Sequence, residues 1–364
     1  MILSLTHSSL SRAGRWFLES GIQEASGGVA RYYRSDAGRN ADVSTEITGY
    51  AVSALACLYR RTGRGEYLDA ASRAADFLAD QAWDRALNIF PFEHSPNGAP
   101  EAALAYFFDS GIIARGLLAL WRVKGEAKHR DAAIRCGRSM IRDFTCDAAF
   151  HPILSLPGKS PLAYEQRWSR RPGCYQLKAA MAWHELFVET GETVFERHYE
   201  RAVAEGLATH AAFLSGEPDR EKVMDRLHAY SYFLEGLLPV AGRAECAAAL
   251  GEGISRAAGE LRSIAPIFER SDVYAQLLRA RLYAAALGAV ALDRGAAGEE
   301  ASKAAEFQFE HTDPRIRDGF WFGRKQGQLL PFVNPVSTAF CAQALDMWRQ
   351  YETGEFRPLI ESLI

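Results

Sequence analysis

A chain of 364 residues that is 48% apolar and 24% charged, with 30 glycines and 14 prolines, has ample core-forming material; disorder, collagen-like structure and coiled coil are excluded. Lys plus Arg (42) against Asp plus Glu (45) leaves a net charge of −3 with no block of like charge, so nothing supports a nucleic-acid or membrane-surface partner. The six cysteines are scattered without a C-x-x-C pair, no run has the apolar length of a membrane-spanning helix, and the first sixteen residues lack a signal-peptide stretch, so a cytoplasmic protein is expected.

In chain order, an outer helix is expected near 8–20, then a long loop, 21–43, carrying Tyr32 and Tyr33. From Ser44 to Gly63, Ile47, Tyr50, Ala51, Ala54, Leu55, Leu58 and Tyr59 follow a helical series, and the opposite face, Gly49, Ser53 and Cys57, is small and uncharged. Such a helix is packed on more than one side and reads as an inner helix. The next, 66–81, has one apolar stripe and a charged face (Asp69, Arg73, Asp76, Asp80) and reads as an outer helix.

This couplet recurs. A glycine follows each inner helix, where a left-handed cap is wanted: Gly63, Gly125, Gly191, Gly242, Gly295 and Gly354, spaced 62, 66, 51, 53 and 59 residues apart. The spacing predicts inner helices at 44–62, 106–124, 173–190, 228–241, 271–293 and 335–353. Outer helices are predicted near 8–20, 66–81, 127–146, 193–214, 243–263 and 297–309. Turns after inner helices are short, whereas the connections into them (21–43, 83–105, 147–172, 311–335) are long and open on one side. That asymmetry favours a closed ring with a loop-built funnel over an open solenoid, and it makes residues 1–364 a single domain.

The segments Gly27-Gly28-Val-Ala-Arg-Tyr-Tyr, Ser44-Thr-Glu-Ile-Thr-Gly-Tyr, Tyr59-Arg-Arg-Thr-Gly and Tyr67-Leu68 resemble the six-hairpin, (α/α)6-toroid carbohydrate enzymes and cyclase-like toroids. The resemblance implies an all-α double ring of twelve helices whose central funnel binds sugars on aromatic platforms and acts through carboxylates, His or Tyr. Members include inverting glycosidases, unsaturated glucuronyl hydrolases and sugar epimerases. The D-x-D-D cluster of terpene cyclases is absent. Cys174 and His228 lack a recognisable third ligand for zinc, so neither metal nor cofactor is expected.

On that reading the candidate catalytic groups are Glu46, Asp109, His228 and Tyr230. Glu46 opens the first inner helix, where an acid also complements the helix dipole. Asp109 sits between Phe108 and an apolar run, so it is either functional or held by a partner such as Arg115. His228 and Tyr230 are acid or base candidates at the expected start of the fourth inner helix, where a satisfied core or surface histidine is the alternative. Candidate substrate-binding residues are Tyr32, Tyr33, His94, Arg167, Trp168, Tyr175, Gln176, Asp272 and Trp321. Asp272 has helix capping as its alternative role, and loop aromatics also serve to hold loops to a scaffold. Arginines gathered in the entry loops point to a saccharide partner that includes a uronate. The expected function is a carbohydrate-active enzyme, a glycoside hydrolase or a sugar epimerase or lyase. A non-catalytic glycan- or peptide-binding toroid and an open α-solenoid are the alternatives.

Overall fold

A computed structural model describes residues 2–93, 103–147, 150–165, 167–265 and 267–364, with the backbone alone for 2–8. Among these residues there are twelve α-helices. They are α1 (Ile2–Glu19), α2 (Thr45–Thr62), α3 (Gly65–Asp76), α4 (Phe107–Lys124), α5 (Ala127–Phe144), α6 (Leu177–Thr190), α7 (Thr193–Phe213), α8 (Arg220–Leu237), α9 (Ala244–Ile264), α10 (Ser271–Ala286), α11 (Arg294–Ala305) and α12 (Pro335–Glu352). None is long and apolar enough to cross a membrane. Contacts gather the chain into two compact units, one made of Gln23–Arg31 and Ala41–Gly206, the other of Met1–Ile22, Tyr32–Asn40 and Leu207–Ile364.

In the first unit, α2 and α4 are buried around most of their circumference, whereas α3 buries one stripe, Tyr67, Ala70, Ala71, Ser72, Ala74 and Ala75. Glycine explains how the inner helices come so close. A Cβ at Gly111 would lie 2.4 Å from the Ala179 carbonyl oxygen of α6, and one at Gly116 would lie 2.4 Å from the Gly49 oxygen of α2. Helix α2 starts where the Ser44 hydroxyl accepts from the Ile47 N–H and stops at Gly63 (φ +70°), whose N–H returns to the Tyr59 carbonyl. Helix α3 runs on into a π-helical turn, Phe77–Ala82.

In the second unit, α10 packs against α8, α11 and α12, and α12 also packs on α1. Two expected boundaries are corrected here. Helix α8 starts at Arg220, eight residues before the predicted 228, because the Asp219 carboxylate caps it by accepting from the Glu221 and Lys222 N–H groups. It then gives way to a 3-10 turn at Leu238–Val240, where Pro239 lacks the N–H needed to continue, so Gly242 has no left-handed role. Helix α10 ends at Ala286, with the left-handed glycine at Gly288 (φ +73°); Gly295 lies inside α11, capped by Asp293. The long connections also carry structure of their own: three small antiparallel sheets. In chain order their strands are β1 (Tyr33–Arg34), β2 (Arg39–Asn40), β3 (Leu104–Tyr106), β4 (Ile153–Ser155), β5 (Ser160–Pro161), β6 (Phe268–Arg270), β7 (Gly323–Lys325), β8 (Gln328–Leu329) and β9 (Phe332–Val333). They pair in the orders β2-β1-β9, β3-β4-β5 and β6-β7-β8.

Candidate active site

Each unit holds one cluster of buried titratable side chains at or near the starts of its inner helices. In the first unit, residues 89–93 are stitched across the start of α2: the Thr45 hydroxyl donates to the Pro91 carbonyl (2.8 Å), and the Thr45 N–H to the Phe92 carbonyl (3.3 Å). Glu46 projects from this first turn and is half-buried; Asp109, in the first turn of the adjacent α4, is 6% exposed. Burial raises both carboxyls, Glu46 to about 7 and Asp109 well above its ordinary range. The charge of Glu46 pushes Asp109 up further, and Arg31 opposes on both.

The structural partner expected for Asp109 is engaged elsewhere. Arg115 is bonded to Glu185 (2.6 Å), which also takes Arg122 (2.6 Å), and among the described residues nothing hydrogen-bonds the buried Asp109 Oδ2. An unsatisfied buried carboxyl oxygen is costly, and the charge of an ionised Glu46 further favours the protonated form of Asp109. The nearby cation, Arg31, pairs with Glu93 and lies 4.7 Å above the Phe92 ring. Around the pair, Phe92 meets Tyr106 (5.0 Å between centroids), Phe108 meets Tyr175 (6.4 Å) and Trp168 stands edge-on to Tyr175 (5.1 Å). The charges of Arg170, Arg167 and Arg31 all reach Tyr106.

Two residues of this unit that the sequence nominated for substrate binding are hydrogen-bonded to the scaffold. The Gln176 amide accepts from the Gly173 N–H (3.2 Å) and donates to the Phe150 carbonyl (3.1 Å), so both its ends are engaged with backbone. The Tyr175 hydroxyl donates to the Arg171 carbonyl (3.2 Å), and the residue is 3% exposed. His94 lies outside the described residues.

In the second unit, the early start of α8 places His228 in its third turn rather than at its beginning. Nδ1 of His228 lies 2.7 Å from Gln276 Oε1 and 3.4 Å from Asp272 Oδ2. Because the Gln276 oxygen can only accept, the ring proton is assigned to Nδ1, which leaves Nε2 as the basic nitrogen. Burial, helped by the charge of Arg270, pushes His228 down to about 4 against the pull of Asp272 and Gln276, so the ring is neutral at pH 7. Asp272 is gripped at both oxygens by Arg270 (3.0 and 2.7 Å), which also reaches Asp225 (2.9 Å) and lies 4.5 Å above the Phe322 ring. Burial would raise Asp272, but the charge and hydrogen bonds of Arg270 hold it low. Asp272 is therefore an ionised carboxylate paired with Arg270 rather than a simple helix cap.

Tyr230, two residues from His228, projects elsewhere on α8: its hydroxyl lies 3.1 Å from His210 Nδ1 of α7, and it is 1% exposed. The Tyr33 hydroxyl donates to Asp313 (3.3 Å) under the Arg315 guanidinium, Tyr32 packs on Phe332 (5.2 Å), and the Trp321 carbonyl receives the Ser271 hydroxyl (2.7 Å). Arg270, Gln276 and Asp225 were not singled out by the sequence. The helical spacing of Asp272 and Gln276, four residues apart on one face, was the available signal for Gln276.

No protein-family model matches the chain and no curated protein matches it in sequence. Solved structures match closely in fold. A sugar epimerase from a ruminal bacterium superposes with a TM-score of 0.73 at 12% identity, over 95% of this chain and 99% of that one. A cellobiose 2-epimerase from Spirochaeta thermophila gives 0.70 at 13% identity, over 96% and 98%. An unsaturated glucuronyl hydrolase from a Bacillus species gives 0.65 at 14% identity, over 97% of each chain. The fold is therefore the (α/α)6 toroid, all-α as expected, and the open solenoid is set aside.

Proposed function

We propose that this protein is a carbohydrate-active enzyme that hydrolyses a glycosidic bond with Glu46 and Asp109. The observation that carries the reading is the pair itself: two carboxyls in the first turns of adjacent inner helices, both raised by burial, with Asp109 raised further by Glu46 and carrying one oxygen that finds no partner among the described residues. Two carboxyl groups with separated proton affinities are what glycoside hydrolysis uses. Asp109, the more deeply buried, holds its proton and donates it to the leaving oxygen. Glu46 ionises first and acts as the base or nucleophile at the anomeric carbon. Aromatic rings at Phe92, Tyr106 and Trp168 suit sugar faces, and Arg167 and Arg170 suit a carboxylate, so uronate-containing oligosaccharides are the first substrates to try. The names of the structural neighbours, sugar epimerases and a glucuronyl hydrolase, support a saccharide substrate. On this reading the protein works in the cytoplasm, in keeping with cysteines carried as small hydrophobes in helices.

Asp109→Asn tests the assignment on an oligosaccharide panel. Turnover is expected to fall by roughly 10²–10⁴-fold, the worth of a positioned general acid, with the melting temperature within a few degrees of wild type. A large loss of stability with residual activity intact would make Asp109 a structural acid. A folded wild-type protein that binds saccharides without turning any over would favour the non-catalytic binding toroid.

A second reading, sugar epimerisation, is favoured by one specific observation: His228 is neutral, with Nδ1 held by Gln276 and Nε2 left basic. Proton abstraction next to a sugar carbonyl followed by reprotonation incorporates solvent deuterium at carbon, whereas hydrolysis does not. Products formed in D2O therefore separate the two: carbon-bound deuterium that disappears in His228→Gln assigns epimerisation, and new reducing ends without deuterium assign hydrolysis.

A further inference from the structure

The second unit contains a cavity of about 930 Å³ that shares no residue with either cluster above. It lies between the C-terminal half of α1 and the segment 310–318, and its lining includes Arg12, Arg15, His311, Thr312, Arg317 and Asp318. The segment is firmly held: the Trp16 indole donates to the Arg315 carbonyl (2.9 Å), and the Gln308 amide bridges the Ser9 and Asp318 carbonyls (3.2 and 2.8 Å). Asp318 adopts a left-handed backbone (φ +73°), uncommon for a residue with a side chain, and is 3% exposed.

That conformation places one carboxylate between two guanidinium groups. Arg12 Nε donates to Asp318 Oδ1 and Arg15 Nε to Oδ2, both at 2.7 Å. Two cations share one anion, so the trio keeps one uncompensated positive charge. Both contacts use Nε, and Arg12 Nη2 is buried without an acceptor among the described residues. A buried guanidinium donor left unfilled is costly, and the partners it fits best are planar or tetrahedral oxyanions. The other donors of the lining agree in sign. Arg317 adds a guanidinium whose carboxylate neighbour, Glu19, stands at 3.6 Å. His311 Nδ1 accepts from the Asp313 N–H (3.0 Å), which places the proton of the neutral ring on Nε2 as a further donor. Against these the lining carries one further acid, Glu310.

We propose that this cavity binds a phosphate or sulfate group carried on a small molecule, held by Arg12, Arg15 and Arg317, with His311 and Thr312 as neutral donors. A doubly charged tetrahedral group offers acceptors in several directions at once, which matches donors converging from a helix and from a loop, and 930 Å³ leaves room for the rest of a small ligand. The site is independent of the saccharide reading and stands or falls separately.

Calorimetric titration of the full-length protein with inorganic phosphate and with sulfate, at constant ionic strength made up with NaCl, tests it. Saturable 1:1 binding of at least one of the two is expected. Arg15→Ala and Arg317→Ala, both on half-exposed side chains, should each weaken it roughly tenfold, the worth of one charge-assisted hydrogen bond. A preference for phosphate assigns a phosphate ester as the natural ligand, and a preference for sulfate a sulfate ester. Heat no greater than the chloride control, or unchanged affinity in Arg317→Ala, overturns the proposal. Arg317 takes no part in the Asp318 trio, so that variant decides the matter even if Arg15→Ala fails to fold.

Discussion

At the scale of single residues, Glu46 gives the most direct thermodynamic handle on the acid pair. Its carboxyl is raised from an ordinary 4.5 to about 7, first by burial, with Arg31 opposing. Between those two pH values the folded chain holds a proton that the unfolded chain has released, so this group lowers stability progressively as pH rises from 4.5 through 7, and the full penalty remains above that. Glutamine carries no such proton. Glu46→Gln should therefore gain in melting temperature relative to wild type as pH rises, with the largest difference near pH 8 and little near pH 4.5. His228 acts in the opposite sense over part of that range. Depressed from 6.5 to about 4, it favours protonation of the unfolded chain, so its contribution rises with pH between those values. The difference between variant and wild type is accordingly the informative quantity, and a difference that stays constant from pH 5 to 8 would show that Glu46 is not raised. For catalysis the same pair predicts an activity that climbs as Glu46 ionises near pH 7 and declines where Asp109 finally loses its proton.

At the scale of elements, the inner helices of the first unit are held together by absent side chains as much as by present ones. A methyl group at Gly111 would lie 2.4 Å from a backbone oxygen of α6, and backbone cannot rotate away as a side chain can. Gly111→Ala should separate α4 from α6 and cost about 1–3 kcal/mol, read from denaturant unfolding. A cost below about 0.5 kcal/mol would mean that the contact is looser than the structure places it. This close packing was partly legible in advance, because Gly49, Ser53 and Cys57 make the second face of α2 too small and uncharged for solvent. Glycine punctuation worked where a left-handed glycine was present, at Gly63, Gly125, Gly191 and Gly354. It failed at Gly242 and Gly295, where Pro239 and the Asp293 cap had already set the boundaries. The start of α8 was missed because its first turn, Arg220 to Val223, is charged and lacks an apolar stripe; only the Asp219 cap marks it. That error moved His228 to the wrong turn. The acid pair was legible because both acids sit in first turns. The grip of Arg270 on Asp272, and the engagement of Gln176 with backbone, depend on loop conformations that helical periodicity does not report.

At the scale of the whole molecule, the repeat pattern and the contact pattern emphasise different things. Six couplets at a spacing of about 58 residues predict one domain over residues 1–364, whereas contacts gather the chain into two compact units. The units are not successive stretches: Gln23–Arg31 belongs to one and Tyr32–Asn40 to the other, so the chain passes between them more than once. Chains that cross repeatedly are hard to unfold piecewise, because melting one unit releases segments at both ends of the other. We therefore expect a single cooperative transition, with calorimetric and van't Hoff enthalpies equal, if refolding is reversible. Two resolved transitions, or a van't Hoff enthalpy near half the calorimetric one, would assign the units as separate folding domains. The destabilising Gly111→Ala lies in the first unit, so it also reports on cooperativity: in a single domain the whole transition shifts, and in two domains only one half does.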